Sequence, residues 1–202
     1  MKLSNSIFFF FSFFTVLFIT SCLSTTSKDT LLPEAVYQES SVFITGKPIK
    51  SSTQLYQFFM AQNPSGNEDK VILMAALYVS ECAIEGVNSD IAFVQMCLET
   101  GFLRFGGLVT EDMNNFCGLG AIDESQRGNS FATVKEGIRA HVQHLKGYGT
   151  DSPLVQECID PRYKWINPKG KSPTIFGLAG TWAADKAYGD KLYALIQRLG
   201  WF

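Results

Sequence analysis

Apolar residues along this chain return at helical spacing from Leu55 onward, in stretches set off by strong breakers. Leu55, Phe58 and Phe59 share one face of a first short helix, which Asn63-Pro64-Ser65-Gly66 closes. Val71, Met74, Ala75, Tyr78 and Cys82 mark a second helix ending at Gly86. Asn88 or Ser89 caps a third, with Asp90 in its first turn and Gly101 just past its end. Val134, Ile138, Val142 and Leu145 give a fourth, and Leu192, Leu195, Ile196 and Leu199 a closing one. Val42 to Pro48 reads as a short extended piece, Gly106 to Asn129 as a Gly- and Asn-rich stretch, and Pro153 to Pro173 as irregular chain. There is no internal repeat. The pattern predicts one mainly α domain with a long loop or small β element on one face, and loops of that length are often functional.

The N-terminal pattern is different. Lys2 precedes a Phe-rich apolar run from Ile7 to Ile19, shorter than the about 20 residues a membrane-spanning helix needs and right for a signal-peptide core. Ile19-Thr20-Ser21-Cys22 then resembles the lipobox of bacterial lipoproteins, which implies that Cys22 becomes the diacylated first residue of an exported, envelope-anchored chain. The division is residues 1–21 as signal peptide, 22–50 as lipidated N-terminus and Ser/Thr-rich tether, and 51–202 as the working domain. Leu23 lacks the Asp that often retains lipoproteins at an inner membrane, which leans towards an outer membrane in a cell with two.

Composition adds limits. Apolar content of 46% and charge of 18% suffice for a core and argue against disorder. A net charge of -2, with no basic stripe, gives no electrostatic case for nucleic acid. Of five cysteines, Cys22 is assigned; Cys82, Cys97, Cys117 and Cys158 allow three pairings, but Cys82 and Cys97 lie in apolar helical segments and read as buried thiols.

The third helix carries the chemistry. Ile91, Ala92, Phe93, Val94, Met96, Cys97 and Leu98 make it apolar nearly all round, so it is buried. Gln95 and Glu99 are the polar exceptions in its second half and share one face. Apolar neighbours such as Phe102, the helix C-terminus and the lack of a preceding cation in the last turn all push the Glu99 pKa upward. A carboxyl kept protonated near neutral pH is what a glycosidic oxygen needs as general acid. Solvation, or pairing with Arg104, is the plain alternative.

Gln95-Met96-Cys97-Leu98-Glu99-Thr100-Gly101 and Asn114-Asn115-Phe116-Cys117-Gly118-Leu119-Gly120 resemble the glucosaminidase domain of glycoside hydrolase family 73. Ser130-Phe131, Glu136 to His141 with Leu145, and Trp182-Ala183-Ala184-Asp185 with Tyr188, Lys191 and Leu192 extend the likeness in order from Leu55 to Leu199. The resemblance implies a lysozyme-like helical fold, Glu99 as acid and the peptidoglycan glycan strand as substrate, cut at N-acetylglucosaminyl bonds by a monomer without cofactor. Family members often hold a second acidic residue on a β-hairpin before the fourth helix. Here Gly120 to Asn129 is short, and Asp123 and Glu124 are its carboxylates. An N-acetyl group of the substrate is the other source of that assistance.

Asn115 and Phe116 suit a sugar-subsite wall or a structural turn; Trp182 and Tyr188 suit the cleft or the core. His141 and His144, three apart, lack a nearby carboxylate or Cys to complete a metal set and read as ordinary hydrogen-bonding residues. Tyr148, between Gly147 and Gly149, reads as a loop aromatic, and the lysines from Lys164 to Lys171 as a solvated face. A lytic transglycosylase, an amidase and a catalytically silent wall-binding lipoprotein are the rival readings.

Overall fold

The computed structural model describes residues 39–202; the expected signal peptide, Cys22 and most of the expected tether lie outside them. Five helices form: α1 Ser52–Gln62, α2 Glu68–Glu85, α3 Ser89–Thr100, α4 Val134–Gly149 and α5 Tyr188–Leu199. A two-stranded antiparallel hairpin, β1 Ala121–Asp123 and β2 Gln126–Arg127, lies between α3 and α4. The mainly α architecture with a small β element is the one the sequence pattern calls for, and it is consistent with the lysozyme-like domain that the resemblance implies.

Helix boundaries follow local chemistry. Ser51 caps α1 with a reciprocal Gln54 capping box, and the Asn67, Asn88 and Thr133 side chains cap α2, α3 and α4. Gly86 and Gly101 end α2 and α3 in the left-handed conformation that a Cβ disfavours. Because α3 is apolar all round, it is buried from Ser89 through Cys97 and packs against each of the other four helices. Phe58, Phe59, Tyr78, Phe93 and Ile138 complete a core with α3 at its centre.

The extended piece near the start is no loose tether. Ile44 is fully buried, its N–H donates to Pro173 O (2.9 Å), and its carbonyl accepts from Asn88 N (2.8 Å). The folded body therefore reaches back to at least residue 41, not residue 51, because Ile44 fills a core site that no helix supplies. Cys82, Cys97 and Cys117 are buried free thiols, and Cys158 is an exposed one.

Two buried carboxylates on α2 pin the irregular segment after α4. Glu85 accepts from Lys146 Nζ (2.9 Å) and from the N–H groups of Val155 (2.9 Å) and Gln156 (3.0 Å). Glu81 accepts from Arg139 Nε and Gln156 Nε2, both at 2.9 Å. Burial opposes both charges, but these bonds outweigh it and hold both carboxyls below the usual range. Gln143 on α4 then takes the Ile159 (2.9 Å) and Asp160 (3.2 Å) N–H groups on its amide oxygen. That fixes Asp160 beside the cleft.

Candidate active site

Glu99 leaves the core at the last turn of α3. Past it the chain bends sharply: Gly101, Phe102, Leu103 and Phe105 all take positive φ. For the three non-glycine residues that conformation costs about 1–2 kcal/mol each, so the turn must be held from outside. Phe102 packs its ring on Phe58 and Phe59 (5.8 and 5.7 Å between centroids), its carbonyl accepts from Asn63 Nδ2 (2.9 Å), and Thr100 Oγ1 accepts from Leu103 N (2.9 Å). Phe102 thus serves the core. Arg104 donates to the carbonyls of Gly101 and Gln62, not to Glu99.

One oxygen of Glu99 is fully engaged. Oε1 accepts from Tyr188 OH (2.5 Å) and Trp182 Nε1 (2.9 Å), while Oε2 has no protein partner among the described residues. The side chain opens to solvent on one side, but protein crowds the carboxyl and pushes its pKa up; the two donors, which favour the charged form, offset only part of this. When the carboxyl is protonated the hydrogen sits on Oε2, the oxygen with room for a ligand.

A buried chain of hydrogen bonds stands behind Tyr188. Gln95 Nε2 donates to Tyr188 OH (2.9 Å), and Gln95 Oε1 lies 3.0 Å from His141 Nε2. His141 Nδ1 lies 2.9 Å from Tyr78 OH. Full burial pushes the His141 pKa down to about 3, so the ring is neutral and donates from Nε2 while Nδ1 accepts from Tyr78. Every donor from Tyr78 to Tyr188 then points towards Glu99. Gln95 is fully buried, so it meets Glu99 through Tyr188 and touches no ligand. Burial, with Glu99 beside it, pushes the Tyr188 phenol well up and keeps it a donor.

Glu99 lies beside two cavities. The first, of about 220 Å³, is lined by Glu99, Phe105, Leu108, Asn115, Gly118 and Ala121 among others. The second, of about 190 Å³, shares Gly118 and Ala121 and is closed by Trp182, His144 and Tyr148. Together they make a groove that passes Glu99, walled by the Asn-Asn loop and the hairpin.

That loop is built by Asn115. Its amide donates to Leu119 O and Asn129 O (2.9 Å each) and accepts from Leu119 N (2.9 Å), clamping the base of the hairpin. Although Asn115 lines the first cavity, its amide is spent on backbone. Phe116 is fully buried in the core and walls no sugar site, which corrects that expectation. It sinks inward because the loop lies directly on α4: a Cβ on Gly137 would fall 1.8 Å from Asn114 O. Only glycine permits that approach.

The short segment after Gly120 does form a hairpin. Asp123 Oδ1 accepts from Ser125 Oγ (2.6 Å), Ser125 N (2.8 Å) and Gln126 N (3.1 Å), bonds that tie the turn and hold its carboxyl below the usual range. Glu124 stands at the tip, 85% exposed, with Arg127 Nε at 3.8 Å.

The residues missed in the sequence cluster round the second cavity. Tyr148 belongs to α4, and its ring meets His144 (5.4 Å) and Trp182 (5.2 Å), which also touch each other (5.1 Å). His144 Nδ1 is 2.7 Å from Oδ2 of the buried Asp160. The one signal in the sequence was an ionisable Asp160 amid irregular chain; its burial shows only in three dimensions. The lysines taken for a solvated face each lie over a ring, Lys164 on Trp165, Lys169 on Tyr163 and Lys171 on Tyr148. Among the described residues, no three of His, Cys, Asp and Glu gather where a metal could be held.

This helical domain sets a carboxyl of raised pKa beside a groove, an arrangement suited to acid-assisted cleavage of a glycosidic bond. The chain belongs to the glucosaminidase family: residues 75–200 match the family described as mannosyl-glycoprotein endo-beta-N-acetylglucosaminidase, which supports action on the glycan of peptidoglycan. It is also 41% identical over 145 residues to an uncharacterized protein of Borreliella burgdorferi (strain ATCC 35210 / DSM 4680 / CIP 102532 / B31), spanning 72% of this chain and 71% of that one. No solved structure matches it.

Proposed function

We propose that the protein is an endo-acting β-N-acetylglucosaminidase of the peptidoglycan strand, with Glu99 as general acid. The observation that carries this is the state of Glu99: Oε1 fixed by two donors, Oε2 free, the pKa raised, and cavities beside it that extend the groove. Oε2–H protonates the leaving glycosidic oxygen as the C1–O bond breaks, and positive charge grows on the ring. Tyr188 and Trp182 then hold the carboxylate left behind. Glu124 is the group we assign to activate water, since Asp123 is tied into the turn. Tyr188 and Gln95 position the acid; Trp182, which lines the second cavity, is the aromatic offered to the sugar.

Mass spectrometry of muropeptides released from purified sacculi tests the reading. A reducing N-acetylglucosamine end is expected. An anhydro-muramoyl end would instead make the protein a lytic transglycosylase, and a freed stem peptide an amidase. We further infer that Cys22 anchors the chain to the envelope membrane, outer where there are two, on the strength of Ile19-Thr20-Ser21-Cys22. Cys22→Ser should move the protein from the detergent phase to the aqueous phase; unchanged partitioning and processing would overturn this.

A further inference from the structure

The second cavity holds positive charge that the reaction at Glu99 does not use. Arg162 lines it, and its guanidinium makes no hydrogen bond or ion pair with any described residue. Its main chain is nevertheless fixed, because Arg162 N donates to Asp160 Oδ1 (2.8 Å). The nearby carboxylate of Asp160 is already spent on that N–H and on His144 Nδ1 (2.7 Å), so it does not neutralise the arginine by direct contact. Lys171 adds a second cation, with Nζ 4.6 Å from the centroid of Tyr148. His144 lines the same cavity with its Nε2 unpartnered, and the Trp182, Tyr148 and His144 rings form an aromatic corner.

An arginine without a partner beside an aromatic corner suits a sugar bearing an acidic substituent. The fork of N–H groups matches a carboxylate with two parallel bonds, and the rings offer a face to the pyranose. We infer that this cavity binds the carboxylate-bearing unit of the strand, with Arg162 on the acid and Trp182 and Tyr148 against the sugar. The inference rests on the proposed function in one respect. Trp182 both bonds Glu99 and lines this cavity, so its occupant neighbours the unit being cut. In a strand that alternates N-acetylglucosamine with N-acetylmuramic acid, the neighbour of a reacting glucosaminyl unit on either side is a muramoyl unit. Its lactyl ether carries a carboxyl, free in a bare strand; where the stem peptide is attached, the acid is the peptide's own. Both sources present the same chemistry to Arg162.

The test is calorimetric binding to the full chain with a synthetic N-acetylmuramoyl–N-acetylglucosamine disaccharide, which has no glucosaminyl–muramoyl bond to cut. Three forms are compared: free lactyl acid, lactyl methylamide, and stem peptide attached. The free acid should bind at least about tenfold more tightly than the methylamide, the size of a charged hydrogen-bonded contact. Tighter binding of the peptide form than of the free acid would make the peptide carboxylates the ligand. Arg162→Gln should abolish the preference for an acidic form, and Arg162→Lys should restore part of it. Equal binding of all three forms overturns the inference, and so does a preference that survives Arg162→Gln in a protein with the parent's circular dichroism. Glu99 plays no part in this readout. A failure of the acid assignment leaves the binding result standing, and a lost preference leaves the cut site standing.

Discussion

Glu99 and Glu124 belong to two segments that wall the same groove, and they are held in opposite ways. Glu99 closes a buried helix, with two donors on one oxygen and a chain of three buried side chains behind the nearer donor. Glu124 sits at the tip of the hairpin between β1 and β2, exposed, with a single arginine contact at 3.8 Å. The contrast fits the two tasks. An acid must keep its proton near neutral pH, which takes crowding and few cations. A base that activates water gains nothing from crowding, since it must stay ionised and admit that water. The molecule builds the first environment from its core and leaves the second to the tip of a hairpin whose base Asn115 clamps and whose second strand Arg127 ties to Leu108 O.

Removing the transferable proton should have the largest effect. Glu99→Gln keeps both hydrogen bonds to Oε1 and is expected to lower glycan cleavage by about 10²-fold or more. Reducing ends released from sacculi measure it, and near-normal turnover by the folded variant would refute the acid assignment. Glu124→Gln comes next, at about 10²-fold, with partial rescue by azide. Asp123→Asn should cost only a few-fold, because its carboxylate ties a turn instead of facing water. If neither variant, nor the pair together, slows the enzyme, the hairpin has no part in the chemistry and the substrate's N-acetyl group is left as the internal nucleophile.

Tyr188→Phe probes the support behind the acid. The variant deletes one donor to Glu99 and leaves Gln95 Nε2 short of an acceptor, so kcat should fall by roughly tenfold, the cost of a charged hydrogen bond. The sign on pH is opposite to that on rate. The Tyr188 bond favours the carboxylate, so without it the Glu99 pKa rises further and the alkaline limb of kcat/KM moves to higher pH. A limb that stays in place would mean that Tyr188 is a packing residue only.

The helices were legible because their signals are local. Asn88, Gly86 and Gly101 cap or end helices within a few residues of themselves, and the unbroken apolar surface of α3 announces burial without any partner. Glu99 stood out for the same reason, as a carboxylate at the end of a helix that should hold none. Phe116 did not: it follows the polar pair Asn114-Asn115 in a loop, and its inward turn depends on Gly137 of a helix about twenty residues on. The relay behind Tyr188 joins residues 78, 95, 141 and 188 across three helix packings, and no spacing rule connects them. The burial of Asp160 was invisible because its environment is made by Gln143 and His144, while its own neighbours look like ordinary loop.

The smallest effect separates the two carboxylates by stability alone. Crowding raises the Glu99 pKa in the folded state above the about 4.3 of an unfolded chain. A group raised in this way supports folding fully below the unfolded pKa and loses that support as pH rises through the folded pKa. At pH 7, above the unfolded pKa, the raised pKa of Glu99 therefore weighs against the folded state, a liability that glutamine lacks, and Glu99→Gln should melt slightly above the parent. The open side of the carboxyl is screened by water, so the gain is small, on the order of 1 °C. It should vanish near pH 3, where both states of the parent carry the proton. Glu124→Gln should leave Tm unchanged across the same range, since its carboxylate is in water before and after unfolding. Paired melting curves at pH 3, 5 and 7 read this directly. Equal melting of the two variants at every pH would mean that the crowding round Glu99 is not felt by its charge, and the raised pKa would lose its role in keeping the acid protonated.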